Sequence, residues 1–347
     1  MKDTTYFPKI LAIVIAGILS CAASLNTTAQ ELVQVQPTPL TQGGQVIPGF
    51  GNEGFIVTRY TVKADGTTDD VEIIGGLTNP FYEKAIKESV ASWTFTPGTS
   101  NGTAVDFLNQ EYVFRIKLNE QLSSSTDFQE EYEKLNTQYQ AQEFEDGKKT
   151  IRSMLRQHVH TALDYAVTNQ MLSTFEMKLG DPFAALEAIT LATQSSVNAD
   201  GVTEYILTPD LLQSALRQQL VLATSVRQQA VVVRTWEKLE ANFDIPADDT
   251  LLEFVTTARQ QIESTDPLPL LAKIRDKQWS YEPAHRIFTV ADVVGKLNKI
   301  NARCEHRNIE LEYQPDVDWT LPASAGKCVL DFEGKDDTTF TIYEFKE

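Results

Sequence analysis

The spacing of apolar and polar residues changes twice along the chain and divides it into three parts. Residues 54–63 are rich in β-branched and aromatic side chains and read as a strand. Asp65-Gly66 follows and reads as a type I′ hairpin turn, because such turns need positive φ at both central positions. A second strand is expected around Val71 to Ile74, ending at Gly75-Gly76. Asn79-Pro80 then reads as an N-cap and a first-turn proline. Beyond it, Phe81, Ala85, Ile86, Ser89, Val90 and Trp93 fall on one helical face. The helix ends at Trp93-Thr94-Phe95-Thr96-Pro97-Gly98, and Asn101-Gly102 turns the chain. From Gln110 to Leu118 the pattern alternates, with Tyr112, Phe114, Ile116 and Leu118 on one face. Residues 33–120 thus read as a compact α+β unit in the order β-β-α-β.

Residues 121–126 form a polar linker, and from Asp127 to about Ser264 the period is helical throughout. Leu163, Val167, Met171, Phe175 and Leu179 form one stripe, and Leu212, Leu216, Leu220 and Ala223 another, started by Thr208-Pro209. Val232, Trp236 and Leu239, then Leu252, Val255 and Ile262, continue it. After Gly180-Asp181, Ala185, Ile189 and Ala192 recur at the spacing of tetratricopeptide second helices. One unit matches that repeat passably but lacks its large first-helix aromatic, so the segment 127–266 is read as an antiparallel, TPR-like helical array. Pro267 and Pro269 mark the next change. Residues 267–347 read as a small β-rich domain, with a sandwich as the candidate architecture and one helix entertained over Val290–Ile300.

In the first unit, Gly54 and its strand, Asp65-Gly66, the amphipathic helix, and Trp93-x-Phe95-x-Pro97-Gly98 recur in a fixed order that resembles the TonB C-terminal domain family. The resemblance covers about a quarter of the chain. One departure is visible: the usual Tyr-Pro step before the first strand is here Ile47-Pro48-Gly49. The resemblance implies that the last strand, Gln110–Leu118, offers an open edge to a short peptide from an outer-membrane receptor. Main-chain hydrogen bonds carry affinity in such strand addition, and the side chains of Gln110, Tyr112, Phe114, Ile116 and Leu118 set its register. The residues alone give a plainer reading for Tyr112, Phe114 and Ile116, which is packing against the helix.

Lys2 and Lys9 precede an apolar run from Ile10 to Leu19 and the small residues Ser20 to Ala23, the three parts of a secretory signal within residues 1–29. Cleavage after Thr27-Thr28-Ala29 competes with a lipobox at Ile18-Leu19-Ser20-Cys21, which would lipidate Cys21. Retention as a membrane anchor is the third outcome. Export to the periplasm or cell envelope leaves Cys304 and Cys328 as an even pair where disulfides persist.

The chain has 347 residues and a net charge of −18. Residues 121–266 hold 22 acidic and 11 basic side chains, so more than half of that net charge lies in the helical part. This acidity excludes nucleic acid as partner and leaves the leader or a lipid as the only link to a membrane.

Gly49-Phe50-Gly51-Asn52-Glu53-Gly54 fits G-x-G-x-x-G, but it precedes a strand instead of opening a helix and is read as an approach loop. His158 and His160 sit two apart on an expected helix and diverge. Cys304, His306 and Cys328 lack a fourth zinc ligand, and Asp65, Asp69 and Asp70 lack a calcium-loop spacing. No G-x-S-x-G, H-E-x-x-H or Walker motif occurs. No cofactor or metal is expected. The reading is a non-enzymatic interaction protein associated with transport across the outer membrane. A periplasmic adaptor without an energy-transducing role and an exported enzyme with an unrecognised C-terminal domain are the competing readings.

Overall fold

The computed structural model describes residues 34–41, 53–116, 124–197, 203–315 and 317–347. The leader with Cys21, the Ile47-Pro48-Gly49 step, Gly51, Leu118 and residues 121–123 lie outside the described residues. The first part begins with β1 (Gln34–Val35) and β2 (Thr38–Thr41), then β3 (Gly54–Val62), β4 (Thr68–Leu77) and α1 (Pro80–Ala91). Three short strands follow, β5 (Thr94–Thr96), β6 (Thr99–Ser100) and β7 (Thr103–Ala104), before the long β8 (Phe107–Ile116). The antiparallel sheet runs β4-β3-β8.

Side chains alternate across this sheet as the period of two requires. Ile56, Tyr60, Val62, Phe114 and Ile116 share a core with Tyr82, Ile86, Val90 and Trp93 of the α1 side. Phe55, Val57 and Val113 point the other way, into the core of the helices described next. Both faces are covered, which explains why β3 is buried along almost its whole length.

Three details differ from the sequence pattern. Asp65-Gly66 is not a type I′ turn, because only Gly66 has positive φ, at 86°. The Gly66 amide donates to the Lys63 carbonyl and the Lys63 amide to Thr67, both at 2.8 Å, closing a three-residue loop with glycine in the left-handed position. The second strand runs through Gly75-Gly76 to Leu77. On α1, Tyr82 takes the core position expected for Phe81, which is 47% exposed. Asn79 does cap this helix, its side chain accepting from the Tyr82 amide at 3.0 Å.

The helices are α2 (Thr126–Gln140), α3 (Phe144–Gln157), α4 (Ala162–Lys178), α5 (Pro182–Ala192), α6 (Pro209–Ser225), α7 (Gln229–Asn242) and α8 (Leu252–Glu263). Each packs on its chain neighbours. A hairpin, β9 (Ser195–Val197) with β10 (Thr203–Tyr205), separates α5 from α6 and interrupts any strict two-helix repeat. Leu212, Leu216, Leu220 and Ala223 are buried as their spacing demands. Of the α4 stripe only Phe175 is: Leu163, Val167, Met171 and Leu179 are partly buried, while Asp164, Thr168, Asn169, Ser173 and Glu176 are buried. Most of these polar groups are satisfied inside the fold. Thr168 bonds the Asp164 carbonyl at 2.7 Å, Asn169 the Tyr165 carbonyl at 2.9 Å, and Glu176 pairs with Lys148 at 2.7 Å.

Residues 268–345 contain β11 (Leu268–Lys273), β12 (Gln278–Tyr281), β13 (Ile287–Val294), β14 (Leu297–Cys304), β15 (Asn308–Glu312), β16 (Asp318–Thr320), β17 (Cys328–Gly334) and β18 (Thr339–Phe345). They form two four-stranded antiparallel sheets, β11-β18-β13-β16 and β12-β17-β14-β15, around one apolar core. The helix entertained over Val290–Ile300 does not form. Those residues are the end of β13, a turn and the start of β14, with Gly295 at φ 122° and Asp292 at φ 53° in the left-handed region. Val290, Val293 and Val294 favour the strand, and the irregular pairing between Ala291 and Val294 hid its alternation.

The described residues pack as one compact unit. Asp181, the N-cap of α5, also accepts from Lys273 at 3.0 Å and Arg275 at 2.8 Å, tying the helices to the sandwich.

Candidate functional site: the β8 edge

Strand β8 pairs antiparallel with β3 from Gly54↔Ile116 to Tyr60↔Gln110. The side chains of Tyr112, Phe114 and Ile116 turn toward α1. The Trp93 ring stacks on Phe114 at 5.5 Å and meets Tyr112 and Tyr60 edge-on at 5.1 and 5.6 Å. Burial pushes the Tyr60 hydroxyl up to about 12, with Tyr112 adding to it, and raises the Tyr112 hydroxyl as well. These side chains are core. The free element is the backbone on the far side of β8, which pairs with no other strand among the described residues.

That edge is bounded at both ends. Asn109 has φ 54° and sits where the pairing register slips between Tyr60 and Val62, so the strand bulges outward. Here the turn after β14 meets it. The Leu108 amide donates to the Glu305 carbonyl, and Asn109 Nδ2 donates to the Cys304 carbonyl and to Asn308 Oδ1, each at 2.9 Å. The His306 ring stands edge-on to Phe107 at 4.6 Å. Cys304 and Cys328 are joined, as their parity suggested, and they face each other across β14 and β17. At the other end, Arg115 reaches the Tyr205 carbonyl at 3.2 Å and Glu204 at 3.4 Å. It borders a cavity of about 410 Å³ that Leu212 and Phe243 help to line. Gln110 to Phe114 lie between these two anchors.

The other singled-out residues hold the scaffold, Gly66 and Gly98 at the Phe107 end of the sheet and Gly54 at the Ile116 end. A Cβ on Gly66 would stand 2.2 Å from the Phe95 carbonyl oxygen. That oxygen belongs to the residue whose amide donates to Gly66 O at 2.8 Å. Gly98 lies against Phe107, where a Cβ would come within 2.1 Å of the ring, and Pro97 is exposed beside it. Gly54 is held tightly against Ile116. His158 ends α3 and His160 lies past it, so neither is mid-helix as expected. Among the described residues, no His, Cys, Asp or Glu cluster is placed to hold a metal ion, and no helix is long and apolar enough to cross a membrane.

Sequence reasoning missed Asn109 and Glu305 and weighed His306 only as a zinc ligand, because nothing local links positions about 200 apart. It also missed a basic stretch. Residues 211–236 contain Arg217, Arg227 and Arg234 and no acidic residue, inside the most acidic part of the chain.

A three-stranded antiparallel sheet with one helix on its face thus ends in β8, which pairs with no further strand among the described residues. Residues 50–116 match the family described as Gram-negative bacterial TonB protein C-terminal. Among curated proteins, the chain is similar to Protein TonB of Pseudomonas aeruginosa, with 26% identity over 90 residues. The match covers 26% of this chain, which spans about a quarter of that relative's length (25%). Among solved structures it matches the solution NMR structure of the Pseudomonas aeruginosa TonB C-terminal domain. That match has 20% identity and a TM-score of 0.21, covering 25% of this chain and 90% of the other. The sequence resemblance therefore holds for residues 50–116. The family match ends at residue 116 and does not bear on the tetratricopeptide-like reading of the helices.

Proposed function

We propose that this is an exported, non-enzymatic interaction protein of the bacterial envelope that recognises an extended peptide by strand addition to β8. Its three modules are residues 33–120, 127–266 and 267–347. Its place is the periplasm, reached through the signal and held there, if lipidated, by Cys21. The partner is a segment of an envelope protein such as an outer-membrane receptor, which ties the protein to transport across that membrane.

One observation carries the reading: β8 borders its sheet with an unpaired outer edge, inside the segment that matches the family. An unpaired strand edge presents a row of amides and carbonyls that a second strand can satisfy. The cavity beside Arg115 would take one side chain of that strand, which is how alternate residues add specificity to main-chain pairing.

The test is hydrogen–deuterium exchange of the mature full chain with synthetic peptides covering the periplasm-facing N-terminal segments of outer-membrane receptors. A binding peptide should slow exchange at Gln110–Ile116 and leave α2–α5 and α8 unchanged. Protection confined to another surface, or no peptide binding at millimolar concentration, would overturn the reading.

A further inference from the structure

A second feature lies between the helices and the sandwich, away from β8. A cavity of about 720 Å³ opens between α5, the α6–α7 junction and α7 on one side and β11, β12 and β18 on the other. Its size is that of ordinary small-molecule sites, about 300–1,000 Å³. We propose that it binds a small amphiphilic anion, with one carboxylate, sulfonate or phosphate head on an apolar body.

The apolar half of the argument is the wall. Trp279 stacks on Tyr281 at 5.1 Å and 20°, and Leu270 and Val231 flank the opening. A flat aromatic surface beside aliphatic side chains suits a ring or an alkyl chain.

The charged half is an imbalance. In a protein of net charge −18, the cavity is lined by five cations, Arg227, Arg234, Lys238, Lys273 and Arg275, against four carboxyl groups, Glu187, Asp276, Glu282 and Glu344. Lys273 and Arg275 are taken by Asp181 at 3.0 and 2.8 Å, and Arg234 by Glu282 at 3.0 Å. Arg227 and Lys238 have no carboxylate partner among the described residues. Lys238 is half-buried, and burial first, then Arg234, holds its amine below the usual lysine range. A partly desolvated cation without a counter-charge is an unfavourable arrangement that a bound anion corrects.

The carboxylate at the inner wall cannot play that part. Glu344 is 2% exposed, its Oε2 already accepts from the His285 amide at 2.7 Å, and burial pushes it up to about 7. Beside it, burial and the neighbouring Glu344 push the Tyr281 hydroxyl up. The helix end adds to this. Gln228 and Gln229 line the cavity at the N-terminus of the 14-residue α7, where no side chain caps the free amides.

Binding of 2-naphthoate to the mature chain by isothermal titration calorimetry, with 2-naphthylmethanol as the uncharged counterpart, tests the proposal. The anion should bind at least tenfold more tightly than the alcohol. Lys238→Met, which keeps the stem and removes the charge, should weaken naphthoate at least tenfold and leave the alcohol unchanged. Arg227→Gln, at an exposed site, gives a second reading should the lysine variant lose its circular dichroism spectrum. Equal binding of acid and alcohol, or full naphthoate affinity in the folded variants, overturns the proposal, as does no naphthoate binding at millimolar concentration. Sedimentation with phosphatidylglycerol vesicles separates the sources: retention displaced by naphthoate assigns the head group to a lipid, and naphthoate binding without such retention assigns it to a soluble anion. The β8 exchange experiment reads a different surface, so either proposal can fail alone.

Discussion

Asn109 and Cys304, 195 positions apart, are joined by a 2.9 Å hydrogen bond from the asparagine side chain to the cysteine carbonyl. The bond fastens the edge strand of the first sheet to the strand that carries the disulfide. Asn109→Ala removes this bond and the one to Asn308. The expected loss is about 1–2 kcal/mol, by urea denaturation, with faster exchange of the Leu108 amide. Since the same turn covers the start of β8, this variant should also bind edge-pairing peptides more tightly.

The disulfide should matter for stability more than for the path of the chain. Cys304 and Cys328 are separated by 24 positions and already face each other across paired strands. Replacing both with alanine should lower the unfolding free energy by about 3 kcal/mol through the freed unfolded chain. The β14–β17 pairing should persist, which backbone amide exchange can verify.

Two left-handed glycines should respond differently to alanine. Gly66 and Gly102 have φ of 86° and 77°, but only Gly66 has a backbone oxygen 2.2 Å from where a Cβ would sit. Gly102→Ala should cost about 1 kcal/mol for the conformation alone. Gly66→Ala should cost more, about 2–4 kcal/mol, because the Phe95 carbonyl must also move. Thermal unfolding of the two variants side by side measures the difference.

Glu176 is 2% exposed and depends on Lys148 for its counter-charge. Lys148→Met leaves that carboxylate buried and unpaired, an expected loss of about 3–5 kcal/mol. The double variant Lys148→Met, Glu176→Leu should regain most of it. A double variant no more stable than the single one would show that the pair does not act as a unit.

Glu344 makes stability depend on pH. Its folded-state value, about 7, is above the ordinary 4.5, so the folded protein holds the proton more tightly than the unfolded chain. Its contribution is complete below about pH 4.5 and is lost as pH rises through about 7. Glu344→Gln, which can still accept from the His285 amide, should therefore melt higher than the parent at pH 8. Near pH 4.5 the two should melt together.

The sequence by itself determined the local elements. Asn79-Pro80 caps its helix, Asn101-Gly102 turns its hairpin, Leu212, Leu216 and Leu220 of α6 face inward, and the fixed order from Gly54 to Gly98 carried a resemblance that the family match at residues 50–116 bears out. Such signals are carried by neighbours a few residues apart, where backbone geometry and period decide the outcome. The even pair of cysteines was legible for the same kind of reason, since parity needs no coordinates. Elsewhere local spacing misled: α4 buries a polar row that Lys148 and nearby carbonyls largely satisfy, and Val290–Ile300 became two strands that turn at Gly295, with a left-handed Asp292 disturbing the alternation inside β13. Tertiary structure alone decided what lies at the two ends of β8 and what faces across the 720 Å³ cavity. Those arrangements join Asn109 to Cys304 and set Lys238 opposite Trp279 across one cleft. Contacts between such distant positions are fixed by how whole layers pack, and no window of sequence contains both partners.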